Sequence, residues 1–284
     1  SLLGTTFGIG LAFGPLAAGW LVEVAGWRWV FLATALIGMA GFLLVWVCAT
    51  ESRDPDSTGL DWPGALSFTA ALSLFTYGIL LAPEEGWRSA SVLGTLLASV
   101  VLFIAFVRIE RSVARPMLDL SLFGSGRFVG VQVLAASPAF FFVTLIVMLP
   151  GRFIGIDGLS ALEAGQMMVA LAAPLLIVPF FAALLSRWFT SGMLSGIGLL
   201  LVAAGLVWVA QVLSGGAGFA LIAPLALIGV GIGLPWGLMD GMAVSVVETE
   251  RAGMATGIFN CVRVSADGIA IAVAGALLAF LIQG

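Results

Sequence analysis

The sequence predicts an all-α polytopic membrane protein of about nine transmembrane helices. Three observations carry that reading. The 284 residues are 61% hydrophobic and only 9% charged, where an ordinary soluble domain is about half apolar and about a quarter charged. Mean hydropathy is +1.19. Apolar stretches long enough to cross about 30 Å of hydrocarbon recur along the whole chain, separated by polar punctuation.

The stretches lie at residues 2–22, 28–49, 63–82, 90–107, 128–150, 163–186, 192–213, 217–239 and 254–282. The first contains Gly10-Leu-Ala-Phe-Gly-Pro-Leu-Ala-Ala-Gly19. Glycines four or five apart leave a seam without side chains, along which another helix can approach closely in lipid. Pro15 removes one backbone donor within the seam and predicts a bend there. The second stretch ends at Glu51-Ser-Arg-Asp-Pro-Asp-Ser-Thr-Gly-Leu-Asp61, a linker by composition. After the fourth come Arg108, Arg111, Arg115 and Arg127, with a half-polar segment between them that is expected to lie along the interface. The last stretch is long, and its start is blurred.

Arginine placement predicts orientation. The second, fourth, sixth and eighth loops hold Arg53, the four arginines just named, Arg187 and Arg251. The odd loops hold only Arg28, Arg88 and Arg152. The even loops are therefore expected in the cytoplasm, with the first helix running outward. Trp27, Trp29, Trp62 and Trp87 fall at helix ends, as interfacial anchors do. The chain starts at Ser1 inside an apolar run, so a fragment whose beginning is missing is expected. All eleven basic residues are arginine, a bias that points to a GC-rich bacterial genome.

Composition also excludes. No histidine is present, and Cys48 and Cys261 stand far apart in apolar surroundings. That argues against a metal cluster, a disulfide and a histidine base. No serine has a plausible base partner, so no catalytic residue is expected. No phosphate-cradling loop followed by lysine points to ATP, no basic run points to nucleic acid, and no cofactor is implied.

Polar residues inside the helices therefore stand out, because a charge at membrane depth costs roughly 3 kcal/mol on insertion scales. Arg263 and Asp267 are four apart on the last helix and share a face. They read either as a switch that pairs and unpairs between conformations or as a permanent ion pair. Asp240 closes a glycine-rich helix with Pro235 and Trp236; it is either a buried carboxylate or an ordinary helix end. Trp236 could wall a cavity for an aromatic or cationic substrate. Gln132 and Asn260 could hydrogen-bond a substrate or a neighbouring helix. Phe141, with Phe140, Phe142 and Met148, could line an apolar cavity or simply face lipid. Glu23 is expected at the outer interface.

Several motifs together resemble the fourteen-span drug:proton antiporters of the major facilitator superfamily. Gly10, Gly14, Pro15 and Gly19 are similar to the antiporter signature of that family's fifth helix, with alanine in place of one late glycine. Gly26-Trp-Arg-Trp-Val-Phe31 resembles the approach to the sixth helix. Pro116-Met-Leu-Asp-Leu-Ser-Leu-Phe123 resembles the approach to the ninth, and Gly158-Leu-Ser-Ala-Leu-Glu-Ala-Gly165 that to the tenth. Glu250 to Asn260, with Arg263, resembles the thirteenth.

The resemblance implies a truncated major facilitator fold carrying helices five to thirteen, with helices one to four and fourteen of the same protein absent. Residues 1–50 would be the last two helices of the N-terminal half, 51–62 a cytoplasmic linker and 63–107 an inserted helix pair. Residues 108–127 would be a cytoplasmic amphipathic loop and 128–284 the first five helices of the C-terminal half. It implies a multi-pass protein of the bacterial plasma membrane that exports small amphipathic compounds in exchange for protons. Asp267 departs from the family pattern, where a small residue is usual, and Ser186-Arg187 stands where an Asp-Arg pair is expected. Aligning Gly4 with Gly257 sets Arg263 and Asp267 opposite Gly10 and Gly14. The alternatives are a non-transporting scaffold or sensor on the same fold and an exporter of one specific metabolite.

Overall fold

The computed structural model describes residues 2–48, 61–113, 118–213, 218–248 and 251–283, without the side chains of residues 2–9, 11, 12, 15 and 280–283. All regular structure among them is helical. The first four helices are α1 (Leu2–Ala25), α2 (Trp27–Cys48), α3 (Trp62–Glu85) and α4 (Ala90–Ser112). Then come α5 (Gly126–Pro138), a π-helical turn (Ala139–Val143) and α6 (Thr144–Gly155). They are followed by α7 (Ala161–Ala172), α8 (Pro174–Leu185), α9 (Ser191–Val212), α10 (Ile222–Trp236), α11 (Met239–Ser245) and α12 (Ala252–Gln283). Eight helical stretches among the described residues are long and apolar enough to cross a bilayer, and Leu16–Ala25 is a shorter apolar piece of α1.

Side-chain caps set several starts. Asp61 accepts from the Gly64 amide at 3.0 Å at the start of α3, Ser89 caps α4, and Thr190 caps α9. Ser160 and Glu163 form a reciprocal capping box on α7. α4 runs five residues beyond the apolar stretch that ended at 107, which places Arg108 and Arg111 on the helix. The stretch ends where polarity begins, but the backbone ladder continues through the interface, where Val113 still donates to Ile109.

Three of the expected rods are broken, each at a proline. Pro138 precedes the π-turn, where the Thr144 amide and hydroxyl both donate to the Ala139 carbonyl, the hydroxyl at 2.9 Å. The hydroxyl gives the carbonyl that closes the widened turn a second donor. The rod expected at 163–186 is two helices, because Pro174 cannot donate into the ladder and starts α8. Pro235 lies in the last turn of α10, just before the break that leads into α11. α1, in contrast, continues through residue 15.

The chain divides into two compact units, residues 1–59 with 148–237 and residues 60–147 with 238–284. In the first unit α1 packs on α7 and α8, and α9 packs along α10. Small residues let backbones meet there. A Cβ on Gly231 would lie 2.6 Å from the Gly198 carbonyl oxygen of α9. Gly229, Gly233 and Gly237 form a second seam on α10, against Leu171, Pro174, Val178 and Pro179; a Cβ on Gly233 would lie 2.7 Å from Val178 Cβ.

In the second unit α3 and α4 form an antiparallel pair joined by the Ser99 hydroxyl, which donates to the Ala71 carbonyl at 2.7 Å. α12 lies against α3 through Ile79, Ala272 and Ala276. It lies against α5 through Phe128, Ala255 and Ile258, and against the π-turn through Ala139, Ala266 and Ala270.

Candidate functional site

The polar residues singled out in the sequence gather mainly in the second unit. On α12, Thr256, Asn260, Arg263 and Asp267 follow at spacings of four, three and four, which is one stripe of a helix. Asn260 donates to the Thr256 carbonyl at 3.0 Å and accepts from Arg263 Nη2 at 3.0 Å. The guanidinium also lies over the Phe259 ring, 5.7 Å from its centroid.

The ion pair that Arg263 makes is with Asp240, at 3.8 Å, and not with Asp267. The break after Pro235 explains this. It starts α11 afresh, puts Asp240 in the first turn of α11, and packs α11 against α12. Sequence spacing could see the neighbour on the same helix but not the one carried across by a turn. At 3.8 Å the pair is a charge contact without a hydrogen bond. The Asp240 side chain is 62% exposed, so it stands open and is not an enclosed carboxylate. Asp267 lies one turn further along α12 and is half-buried. Asp240 is thus the carboxylate in contact with the guanidinium, and Asp267 is the next acid along the same stripe of α12.

Gln132 on α5 is 5% exposed, and both polar atoms of its amide lack a hydrogen-bond partner. It lies on the α5 face between Phe128 and Ala136, which both pack on α12. That register sets Gln132 level with the stretch of α12 around Val262 and Arg263. Phe141 is half-buried and Trp236 is 8% exposed. Neither lines either of the two cavities described below.

In the first unit, the glycine seam of α1 makes its close contact at Gly19. A Cβ there would lie 2.5 Å from the Ala161 carbonyl oxygen of α7. A Cβ on Gly10 or Gly14 would have nothing within 4 Å among the described residues. The Pro15 side chain lies outside the described residues. Glu23, four residues after Gly19, accepts from the Leu162 amide at 3.1 Å and so caps the start of α7.

Sequence reasoning missed a group of acids at one end of the second unit. Glu110 is 3% exposed and accepts from the Leu118 amide at 3.0 Å. Asp119 pairs with Arg251 at 2.9 Å. Hydrogen bonds from the Ser121 side chain and backbone hold the Asp119 carboxyl below the usual aspartate range; slight burial opposes them and Arg251 adds to them. The signal was present as Asp119-Leu-Ser121, a short turn motif in which an aspartate accepts from the amide two residues on.

Comparison with known proteins agrees with this architecture. The sequence profile described as Major Facilitator Superfamily matches residues 1–271. Drug efflux pump JefA of Mycobacterium tuberculosis is 31% identical over 279 residues, which cover 95% of this chain and 53% of that protein. Multidrug resistance protein Stp of the same species is 29% identical over 274 residues, covering 95% and 50%. The tetracenomycin C resistance and export protein of Streptomyces glaucescens is 27% identical over 275 residues, covering 96% and 51%. The chain spans about half the length of these curated relatives. With its all-helical build and eight membrane-length stretches, the chain belongs to the Major Facilitator Superfamily of transporters, as a multi-pass protein of the bacterial inner membrane.

Proposed function

We propose that this chain is the core of a secondary transporter that exports small amphipathic compounds in exchange for protons. The observation that carries the coupling is the Arg263–Asp240 pair between α12 and α11, with Asp267 one turn further along α12. Protonation of Asp240 removes the charge that faces Arg263 from α11. The guanidinium is then left to Asp267 and Asn260, and the contact between α11 and α12 loosens. The names of the relatives, drug efflux pump and multidrug resistance protein, support amphipathic drugs as substrates.

The domain assignment belongs to the same proposal. Residues 1–50 close an N-terminal half, 63–107 are an inserted pair, and 128–284 begin a C-terminal half. The packing of α1 against α7 and α8 supports this, since it sets a helix of one half against a span of the other. Rocking of such halves about a midplane site is the mechanism by which transporters of this architecture alternate access.

The test is proton movement in reconstituted vesicles containing a pH-sensitive dye. Addition of a lipophilic cationic dye should drive proton exchange. Asp240→Asn and Asp267→Asn should lose that exchange while keeping helical content. Correctly folded protein that binds the dye and moves no protons would overturn the coupling. It would favour a scaffold or sensor, the reading also supported by Ser186, a neutral residue where the family pattern carries an acid.

A further inference from the structure

We propose that the α3–α4 pair and α12 hold one acyl chain of an ethanolamine phospholipid, with its head at the turn between α3 and α4. A cavity of about 390 Å³ lies among Phe75, Ile79, Trp87 and Leu96 of the pair and Val273 and Ala276 of α12. A second, of about 280 Å³, continues along the pair among Phe68, Leu72, Phe103 and Ile104, and Phe75 borders both.

The lining leaves few candidates for the contents. Its polar side-chain groups are the Ser99 hydroxyl, committed to the Ala71 carbonyl, and the single indole N–H of Trp87. A water needs two to four polar partners, so water is not held there. An empty space of this size forfeits the dispersion contacts of every side chain around it. In a bilayer the material at hand to fill it is hydrocarbon. The shape agrees. From Phe75 to the end of α3 at Glu85 is roughly 15 Å at about 1.5 Å per residue. That is the depth of one leaflet of a hydrocarbon core about 30 Å thick.

The tail gains little by leaving one hydrocarbon surrounding for another, so selectivity lies at the head. Trp87, at the mouth, is 51% exposed, as an interfacial anchor is. Beside it the turn Glu84-Glu85-Gly86-Trp87-Arg88 presents two carboxylates and one guanidinium, all exposed. Glu85 is occupied by the Ser91 hydroxyl. Glu84 and Arg88 remain, one anion and one cation, which complement a head carrying an ammonium and a phosphate. An ethanolamine ammonium also offers the N–H donors that a carboxylate accepts. A glycerol head would bring a phosphate with no cation for Glu84.

The test uses the purified protein in vesicles doped with phosphatidylethanolamine or phosphatidylglycerol bearing a photoactivatable group on the acyl chain. Labelled peptides are mapped by mass spectrometry. The ethanolamine probe should label the segments around Ile79 and Ala276 about fivefold more than the glycerol probe, the order expected for one exposed charge pair. Ala276→Trp, which fills the cavity, should abolish that labelling. Glu84→Gln with Arg88→Gln alters only the exposed turn. It should keep the labelling and erase the preference. Equal labelling by both probes in the unchanged protein would overturn the head assignment. Unchanged labelling of a folded Ala276→Trp protein would overturn the cavity assignment. Displacement of the probe by a transported amphipathic dye would overturn the proposal by giving the cavity to substrate.

Discussion

Gly14 and Gly19 lie five residues apart on α1 and meet different surroundings. A side chain at Gly19 would run into the Ala161 main chain, which cannot rotate away, whereas Gly14 has open space beside it among the described residues. Gly19→Leu is therefore expected to destabilise the protein by about 1–3 kcal/mol, the usual range for overpacking, and Gly14→Leu to leave it unchanged. Thermal unfolding of the purified protein in detergent compares the two; equal losses would refute the assignment. The glycine pattern itself was legible in the sequence. Which glycine touches a neighbour was not, because the partner helix decides it and α7 lies far along the chain. Arg263 teaches the same lesson. Its spacing to Asp267 is visible in one dimension, and its pairing with Asp240 depends on a break in another helix.

At the level of elements, positions of helices were readable and their interruptions only partly so. Among the described residues, all nine apolar stretches are mainly helical, since length and hydropathy largely decide that in lipid. The prolines at 138, 174 and 235 were visible, but whether each yields a π-turn, a fresh helix start or a short extra helix is not written in the proline itself. The segment expected to lie along the interface also gained a partner. Leu118 and Leu122 pack on the Phe128–Ala255–Ile258 cluster, and Asp119 is tied to Arg251; Pro116 within it lies outside the described residues. Because the Ser121 hydrogen bonds, and Arg251 after them, lower the Asp119 carboxyl's proton affinity in the folded state, this group of contacts contributes above the ordinary aspartate value of about 3.9. It is lost as pH falls from there through the lowered value. Hydrogen exchange at residues 120–124 should accelerate across that acid window in the unchanged protein. In Asp119→Asn it should be fast and pH-independent apart from intrinsic chemistry.

At the scale of the whole chain, orientation rests on arginine counts, and contacts inside each unit support the same alternation. Glu23 reaches Leu162, joining the first and fifth loops. Arg152 donates to the Leu213 carbonyl at 2.9 Å, joining the fifth and seventh. Arg251 and Asp119 join the eighth and fourth. Each contact links loops of one parity, as an unbroken series of crossings requires. With Cys48 and Cys261 replaced by alanine, a cysteine at Arg88 should react with an impermeant maleimide from outside intact cells. One at Ser121 should react only after the cells are opened. The reverse result would invert the topology.

The seam of α10 has a mechanical meaning. Glycines at 229, 233 and 237 form a groove that holds the ridge of Pro174, Val178 and Pro179, while Gly231 holds Val202 from the opposite side. Turning the rod about its axis would drive bulkier residues such as Leu234 into those ridges. With Ile228 also seated against Gly205 of α9, α10 is keyed on both flanks, so strain entering at one of its ends would be handed sideways to α8 and α9.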